Sequence, residues 1–141
     1  EKVSVELICD TFHVNPGLYK MVHKLKGDKL CIITDCMRAG GMPDGDYTLG
    51  GQPVKKTGIQ CLMPDGTIAG SVLDLNMGVK NFYEHAGVSL AEAFAAASLN
   101  PAKAIGEDAN IGSLEAGKCA DIIIVDTDFN VIKTIIGGIE K

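Results

Sequence analysis

Ile32-Ile33-Thr34-Asp35-Cys36-Met37-Arg38-Ala39-Gly40-Gly41, preceded by Leu30 and Cys31, decides the fold of this chain. Leu30 to Ile33 is an apolar run without alternation, the pattern of a parallel strand covered on both faces. Asp35 falls where that strand stops and a glycine-containing loop opens. In parallel α/β folds the carboxyl ends of the strands are where chemistry is done. By position alone Asp35 suits a cap or turn residue equally well.

Upstream, Val3, Val5, Leu7 and Cys9 alternate with Lys2, Ser4 and Glu6, which predicts a strand ending on Ile8-Cys9-Asp10. Thr11 to Asn15 reads as a loop, and Pro16 suits the first turn of a helix. Leu18, Met21, Val22 and Leu25 keep helical spacing until Gly27. The next strand spans about Lys29 to Thr34, so the order strand, loop, helix, strand is a parallel βαβ unit. His13 and Asp35 fall just past the ends of its two strands. Neighbouring parallel strands lie about 4.8 Å apart, so the two side chains can face one pocket.

Downstream, glycine and proline crowd the stretch from Gly40 to Gly70 and predict an irregular β excursion, with short strands such as Val54–Leu62. Val72, Leu75, Val79, Phe82 and Ala86 then step as a helix that Gly87 closes. Ser89 and Glu92 form a capping box for an alanine-rich helix reaching about Leu99. Asn100-Pro101 caps a short third helix that stops at Gly106. Past Gly112 and Gly117, Ala120–Val125 and Val131–Ile136 read as a hairpin belonging to a separate, smaller sheet.

The 141 residues, 46% of them hydrophobic, suffice for one domain with a core. A net charge of -5 and a pI near 5.1 argue against nucleic acid as the main partner. No apolar run approaches the roughly 18 residues that span a bilayer, and the opening lacks a charged-then-apolar leader. The five cysteines are odd in number and contain no CxxC pair, so neither a disulfide framework nor a zinc knuckle is suggested. Cys9, Cys31 and Cys61 are expected to be core residues in a reducing cytoplasm. The chain opens on Glu1 rather than Met, and strand-like sequence follows at once. That raises the expectation of an amino-terminal part elsewhere.

A carboxylate beside a histidine at the mouth of a parallel sheet can act as a general base on a water or amide, which singles out Asp35 and His13. Thr67-Ile68-Ala69-Gly70-Ser71 is a second candidate. Small residues before a helix let backbone N–H groups approach a ligand, though the same stretch reads as a plain helix start capped by Ser71. His23 and His85 are expected on the surface, and Arg38 as a solvated charge. A catalytic zinc needs about three protein ligands. The chain offers no HxH, HExxH or acid–histidine cluster, so most ligands of any metal would lie elsewhere.

These residues carry a resemblance. Asp10-Thr11-Phe12-His13-Val14 and Thr34-Asp35-Cys36-Met37-Arg38-Ala39-Gly40-Gly41-Met42-Pro43-Asp44-Gly45 resemble the carboxyl-terminal half of the N-acetylglucosamine-6-phosphate deacetylase family. Gly66-Thr67-Ile68-Ala69-Gly70-Ser71 and Ser98-Leu99-Asn100-Pro101-Ala102 continue it. Gly112-Ser113-Leu114-Glu115-Ala116-Gly117-Lys118-Cys119-Ala120-Asp121 alone marks only the wider amidohydrolase superfamily. The resemblance implies an α/β fold, the carboxyl-terminal part of a (β/α)8 TIM barrel with its last two strands and helices, plus strands of a small β-sandwich domain. Residues 1–110 would be the barrel part, with the β excursion at about 44–66, and 111–141 the small β domain. Asp35 would be the catalytic acid that takes a proton from metal-bound water and passes it to the leaving amine. His13 would hold the acetyl carbonyl region, and Ile68, Ala69 and Gly70 would bind the sugar phosphate through the main chain. The metal, a divalent ion such as zinc or iron, would have its ligands upstream and none in this chain. Thr11 and Phe12 depart from a usual glycine and its neighbour, Asn15 from an aspartate, and Cys36 from an alanine.

The implied reaction is deacetylation of N-acetyl-D-glucosamine 6-phosphate to D-glucosamine 6-phosphate and acetate in cytoplasmic amino-sugar catabolism. Its partners would be the amino-sugar phosphate, the missing amino-terminal part and further copies in a homo-oligomer, with neither nucleic acid nor membrane. The 141 residues by themselves are expected to be inactive. A different amidohydrolase reaction on a cyclic amide or an amine, and a non-catalytic half-barrel assembly module, are the competing readings.

Overall fold

The computed structural model describes residues 3–141, so Lys2 of the first alternation lies outside the described residues. β1 (Val5–Ile8) and β2 (Leu30–Ile33) pair in parallel, in register from Val5↔Leu30 to Ile8↔Ile33. Leu30, Cys31 and Ile32 are all buried, as an unalternating strand requires. Between the two strands, a 3-10 turn over Pro16–Leu18 leads into α1 (Tyr19–Lys26). Of the four spaced apolar residues, Val22 alone packs against the core. Leu18, Met21 and Leu25 are exposed, and Tyr19 is fully buried. Its ring lies 6.4 Å from Phe82 and its hydroxyl accepts the Thr11 N–H, which turns the other side of α1 outward.

The excursion is a three-stranded antiparallel sheet of β3 (Gly45–Leu49), β4 (Gln52–Thr57) and β5 (Gln60–Leu62). The single predicted strand Val54–Leu62 is two strands, because Gly58 takes φ +58° and reverses the chain there. Val54 and Cys61 from this sheet join Met37, Ala39 and Ala69 in a small second core.

Three helices follow: α2 (Leu75–Ala86), α3 (Leu90–Ala97) and α4 (Leu99–Ala104). Val79, Phe82 and Ala86 of α2 meet Leu7, Leu30 and Ile32 in the main core. α2 starts at Leu75 rather than Val72, and Gly78 lets it lie close to β2, where a Cβ would stand 3.3 Å from Ile32. The Ser89–Glu92 capping box is formed in full. Asn100 lies inside α4 rather than ahead of it; its Nδ2 donates to the Leu30 carbonyl at 2.8 Å, satisfying a buried amide and joining helix to strand. Gly112, at φ +91°, packs against α4, where a Cβ would meet Ala102 at 2.8 Å and the Ser98 carbonyl at 3.0 Å.

The predicted terminal hairpin is present as β6 (Ile122–Val125) and β7 (Val131–Ile136), extended by β8 (Ile139–Glu140). Among the described residues no helix is long and apolar enough to cross a membrane. The fold is mixed α/β.

Candidate active site

Asp35 and His13 both follow the carboxyl ends of the parallel pair, since Ile8 and Ile33 are register partners and the two residues lie just beyond them. Asp35 is exposed and holds a left-handed backbone, φ 47°, which an aspartate tolerates better than most side chains. Its carbonyl accepts the Ser71 N–H at 3.1 Å, and the Met37 N–H donates to the Ser71 carbonyl at 2.9 Å. Ser71 is fully buried; its hydroxyl donates to the Thr34 carbonyl and accepts the Leu73 N–H. The expected helix cap at Ser71 is therefore a brace across the end of β2. Ser71 is committed to Thr34 by a long-range bond, and the helix begins only at Leu75.

The segment carrying Ile68, Ala69 and Gly70 is extended. Met63 N–H donates to the Thr67 carbonyl at 2.8 Å and Ala69 N–H to the Cys61 carbonyl at 2.8 Å, so the segment lies antiparallel to β5 before reaching Asp35 through Ser71. Ile68 is exposed, Ala69 is buried, and Gly70 bends the chain at φ +80°. The small residues thus form a bent strand edge rather than the approach to a helix terminus.

His13 is paired with a residue the sequence reading passed over. Asp10 is 4% exposed, and its Oδ1 accepts the Phe12 and His13 N–H groups at 2.9 and 2.8 Å. Its Oδ2 lies 2.6 Å from His13 Nδ1. The three-residue spacing of acid and histidine was the available signal. Thr11 between them has φ +65°, a conformation that explains why glycine suits this position. The Tyr19 hydroxyl holds the turn from beneath at 3.0 Å. Burial pushes both Tyr19 and Cys9 up to about 12, so both stay neutral under the turn.

Asp10 and Thr11 also border a cavity of about 300 Å³, whose lining includes Leu73, Asp74, Met77 and Asn81. Neither His13 nor Asp35 lines it. Asn81 Nδ2 donates to the Cys9 carbonyl at 2.8 Å and so ties α2 to the end of β1.

Cys36 follows Asp35 directly. The residue is exposed, but its sulfur is tucked against Gly40, where a Cβ would stand 2.1 Å away. Desolvation raises its thiol pKa, and the Asp74 and Asp35 charges add to that, which argues against a thiolate nucleophile. Arg38 is exposed and donates to Thr48 Oγ1 at 3.1 Å. His23 is half-buried, its ring against Phe82 rather than free on the surface, and His85 is exposed with its ring edge-on to Tyr19. Among the described residues no three His, Cys, Asp or Glu side chains come together, so this donor set does not fit the implied metal.

Known proteins match this arrangement. The model of the amidohydrolase family matches residues 16–140. An N-acetylglucosamine-6-phosphate deacetylase of Vibrio furnissii is 41% identical over 95% of the chain, which spans 34% of that protein. A putative N-acetylgalactosamine-6-phosphate deacetylase of Escherichia coli K12 is 40% identical over 95% of the chain, which spans 80% of it. The crystal structure of N-acetylglucosamine-6-phosphate deacetylase from Pasteurella multocida superposes with a TM-score of 0.96 at 35% identity, covering all of this chain and 37% of that one.

Proposed function

The chain belongs to the amidohydrolase family, and on that premise we propose that it is the carboxyl-terminal part of a metal-dependent N-acetylglucosamine-6-phosphate deacetylase. β1 and β2 are then the last two strands of a (β/α)8 barrel, and β6 to β8 belong to its small β domain. The observation that supports the reading is the convergence of three distant stretches on one edge: Asp10–Val14, Thr34–Gly45 and the Ile68–Ser71 segment braced to Asp35 through Ser71.

In this reading Asp35 is the general base and acid. It accepts a proton from the attacking water, whose oxygen bonds to the acetamide carbonyl carbon. It then returns that proton to the nitrogen as the C–N bond breaks, giving the free amine and acetic acid, which ionises to acetate by releasing its proton to solvent. An exposed carboxylate on a braced, left-handed turn is suited to passing a proton between two partners. His13 orients the acetamide, and the bent edge at Ile68, Ala69 and Gly70 offers main-chain groups to the sugar phosphate. No bond among the described residues takes the N–H of Ile68 or Gly70. The divalent ion, zinc or iron, is held by residues outside this chain.

The test is acetate release by the longer protein carrying this chain. Asp35→Asn should lower kcat about 10²- to 10⁴-fold, the usual range for losing a proton-transfer group. Unchanged release would sink the assignment. The 141 residues alone should release none. A second reading, with the 4-epimeric galactosamine substrate, is favoured by the 40% identity to the Escherichia coli relative of which the chain spans 80%. Comparing kcat/KM for the two epimers decides between them.

A further inference from the structure

We propose that Asp10 is the positioning residue of His13, fixing the imidazole as the Nδ1–H tautomer and leaving Nε2 as the nitrogen that meets the substrate. The inference rests on the reading of His13 as a substrate contact and adds to it the group that sets the ring's chemistry.

The geometry leaves Asp10 little freedom. Two backbone N–H groups, from Phe12 and His13, converge on Oδ1, which fixes the carboxylate plane and aims Oδ2 at the ring. The Asp10 side chain is 3% exposed and that of His13 18%. An ionised carboxylate only accepts, so with Asp10 charged the proton between Oδ2 and Nδ1 belongs to the histidine. Phe12 stands edge-on to the imidazole at 5.9 Å and restricts the ring further. The left-handed Thr11 and the Tyr19 hydroxyl hold the turn that brings the acid back onto the ring. The consequence for binding is specific. A neutral His13 presents Nε2 as an acceptor for an amide N–H or a hydroxyl. It donates to a carbonyl only when protonated, and the charge then faces Asp10.

Asp10→Asn in the longer protein separates positioning from folding. The amide oxygen can still accept the Phe12 and His13 N–H groups, while its NH₂ faces Nδ1 and drives the ring proton to Nε2, the same inversion that disables the aspartate-to-asparagine serine protease. Two-bond ¹H–¹⁵N spectra of ¹⁵N-histidine-labelled protein should show His13 protonated at Nδ1 in the unaltered protein and at Nε2 in the variant. Turnover of N-acetylglucosamine 6-phosphate should fall at least about 10-fold, with the melting temperature little changed. An Nε2–H ring in the unaltered protein, or a tautomer switch with full turnover, would overturn the proposal. Should the variant not fold, the spectrum of the unaltered protein alone decides against an Nε2–H ring or for the Nδ1–H one. If the protein turns over no N-acetylated amino-sugar phosphate, the functional reading fails, and the tautomer still decides the Asp10 assignment.

Discussion

Phe129, in the turn between β6 and β7, stacks on Phe94 of α3 with ring centroids 5.8 Å apart and planes 10° from parallel. Tyr83 of α2 also meets the Phe129 ring, tilted by 37° at 5.9 Å, and Asn76 Nδ2 donates to the Phe129 carbonyl at 3.0 Å. Asp126 shapes the turn by accepting the Asp128 and Asn130 N–H groups. The ring is buried in the main core, whereas Ile132 and Ile139 of the same sheet are more than 60% exposed. One aromatic side chain therefore does much of the work of fastening the terminal sheet to the helices.

Phe129→Ala should cost about 3 kcal/mol, the lower part of the range for emptying an aromatic core site. Urea denaturation gives the value, and hydrogen exchange should show β6 to β8 losing protection before β1 and β2. A cost below about 1 kcal/mol would mean that the sheet is held by other contacts.

Thr11→Gly should stabilise the protein. A β-branched residue at φ +65° bears roughly 1–2 kcal/mol of steric cost, and glycine returns about 0.4–1 kcal/mol of that through the freedom it gives the unfolded chain. The expected gain is about 1 kcal/mol, read from the shift in thermal unfolding. A loss would mean that the Thr11 side chain makes contacts worth more than the strain.

The βαβ unit was legible because burial on both faces leaves an unbroken apolar run at Leu30–Ile33, and Pro16 and Gly27 bracket the helix between the strands. Ser71 and Asp10 were not. Both act through partners that sequence spacing hides: Ser71 bonds to Thr34, far back in the chain, and Asp10 looks like any acid at a strand end until its carboxylate is seen on His13. Gly58 broke a strand that β propensity ran straight through, because a single left-handed glycine outweighs several favourable residues. The exposed Leu18, Met21 and Leu25 show the remaining gap. Apolar spacing marks a helix, but Tyr19 and its hydroxyl fix which side of α1 faces in.

Alkaline solutions should weaken the fold through the groups beneath the Thr11 turn. Cys9 is raised from 9.0 and Tyr19 from 10.0 to about 12 each, chiefly by burial. Between those values the unfolded chain releases protons that the folded chain keeps, so stability is full below pH 9 and falls as pH rises toward 12. Urea midpoints from pH 8 to 11 should decline, and Cys9→Ala should flatten the early part of that decline. An unchanged slope in the variant would show that other groups set it.

Asp35 allows chemistry and backbone to be separated. At φ 47° asparagine and aspartate are tolerated, glycine fits without strain, and alanine costs about 1 kcal/mol more. Stability should therefore rank Asp35→Gly at or above the unaltered protein, Asp35→Asn level with it, and Asp35→Ala below. Acetate release by the longer protein should fall in all three, by at least about 10². The Ser71 brace binds the Asp35 carbonyl rather than its carboxylate, so none of the substitutions removes it. If activity instead followed the stability order, with Asp35→Asn and Asp35→Gly both active, the residue would be a turn former and the proton carrier would have to be sought elsewhere on the same edge.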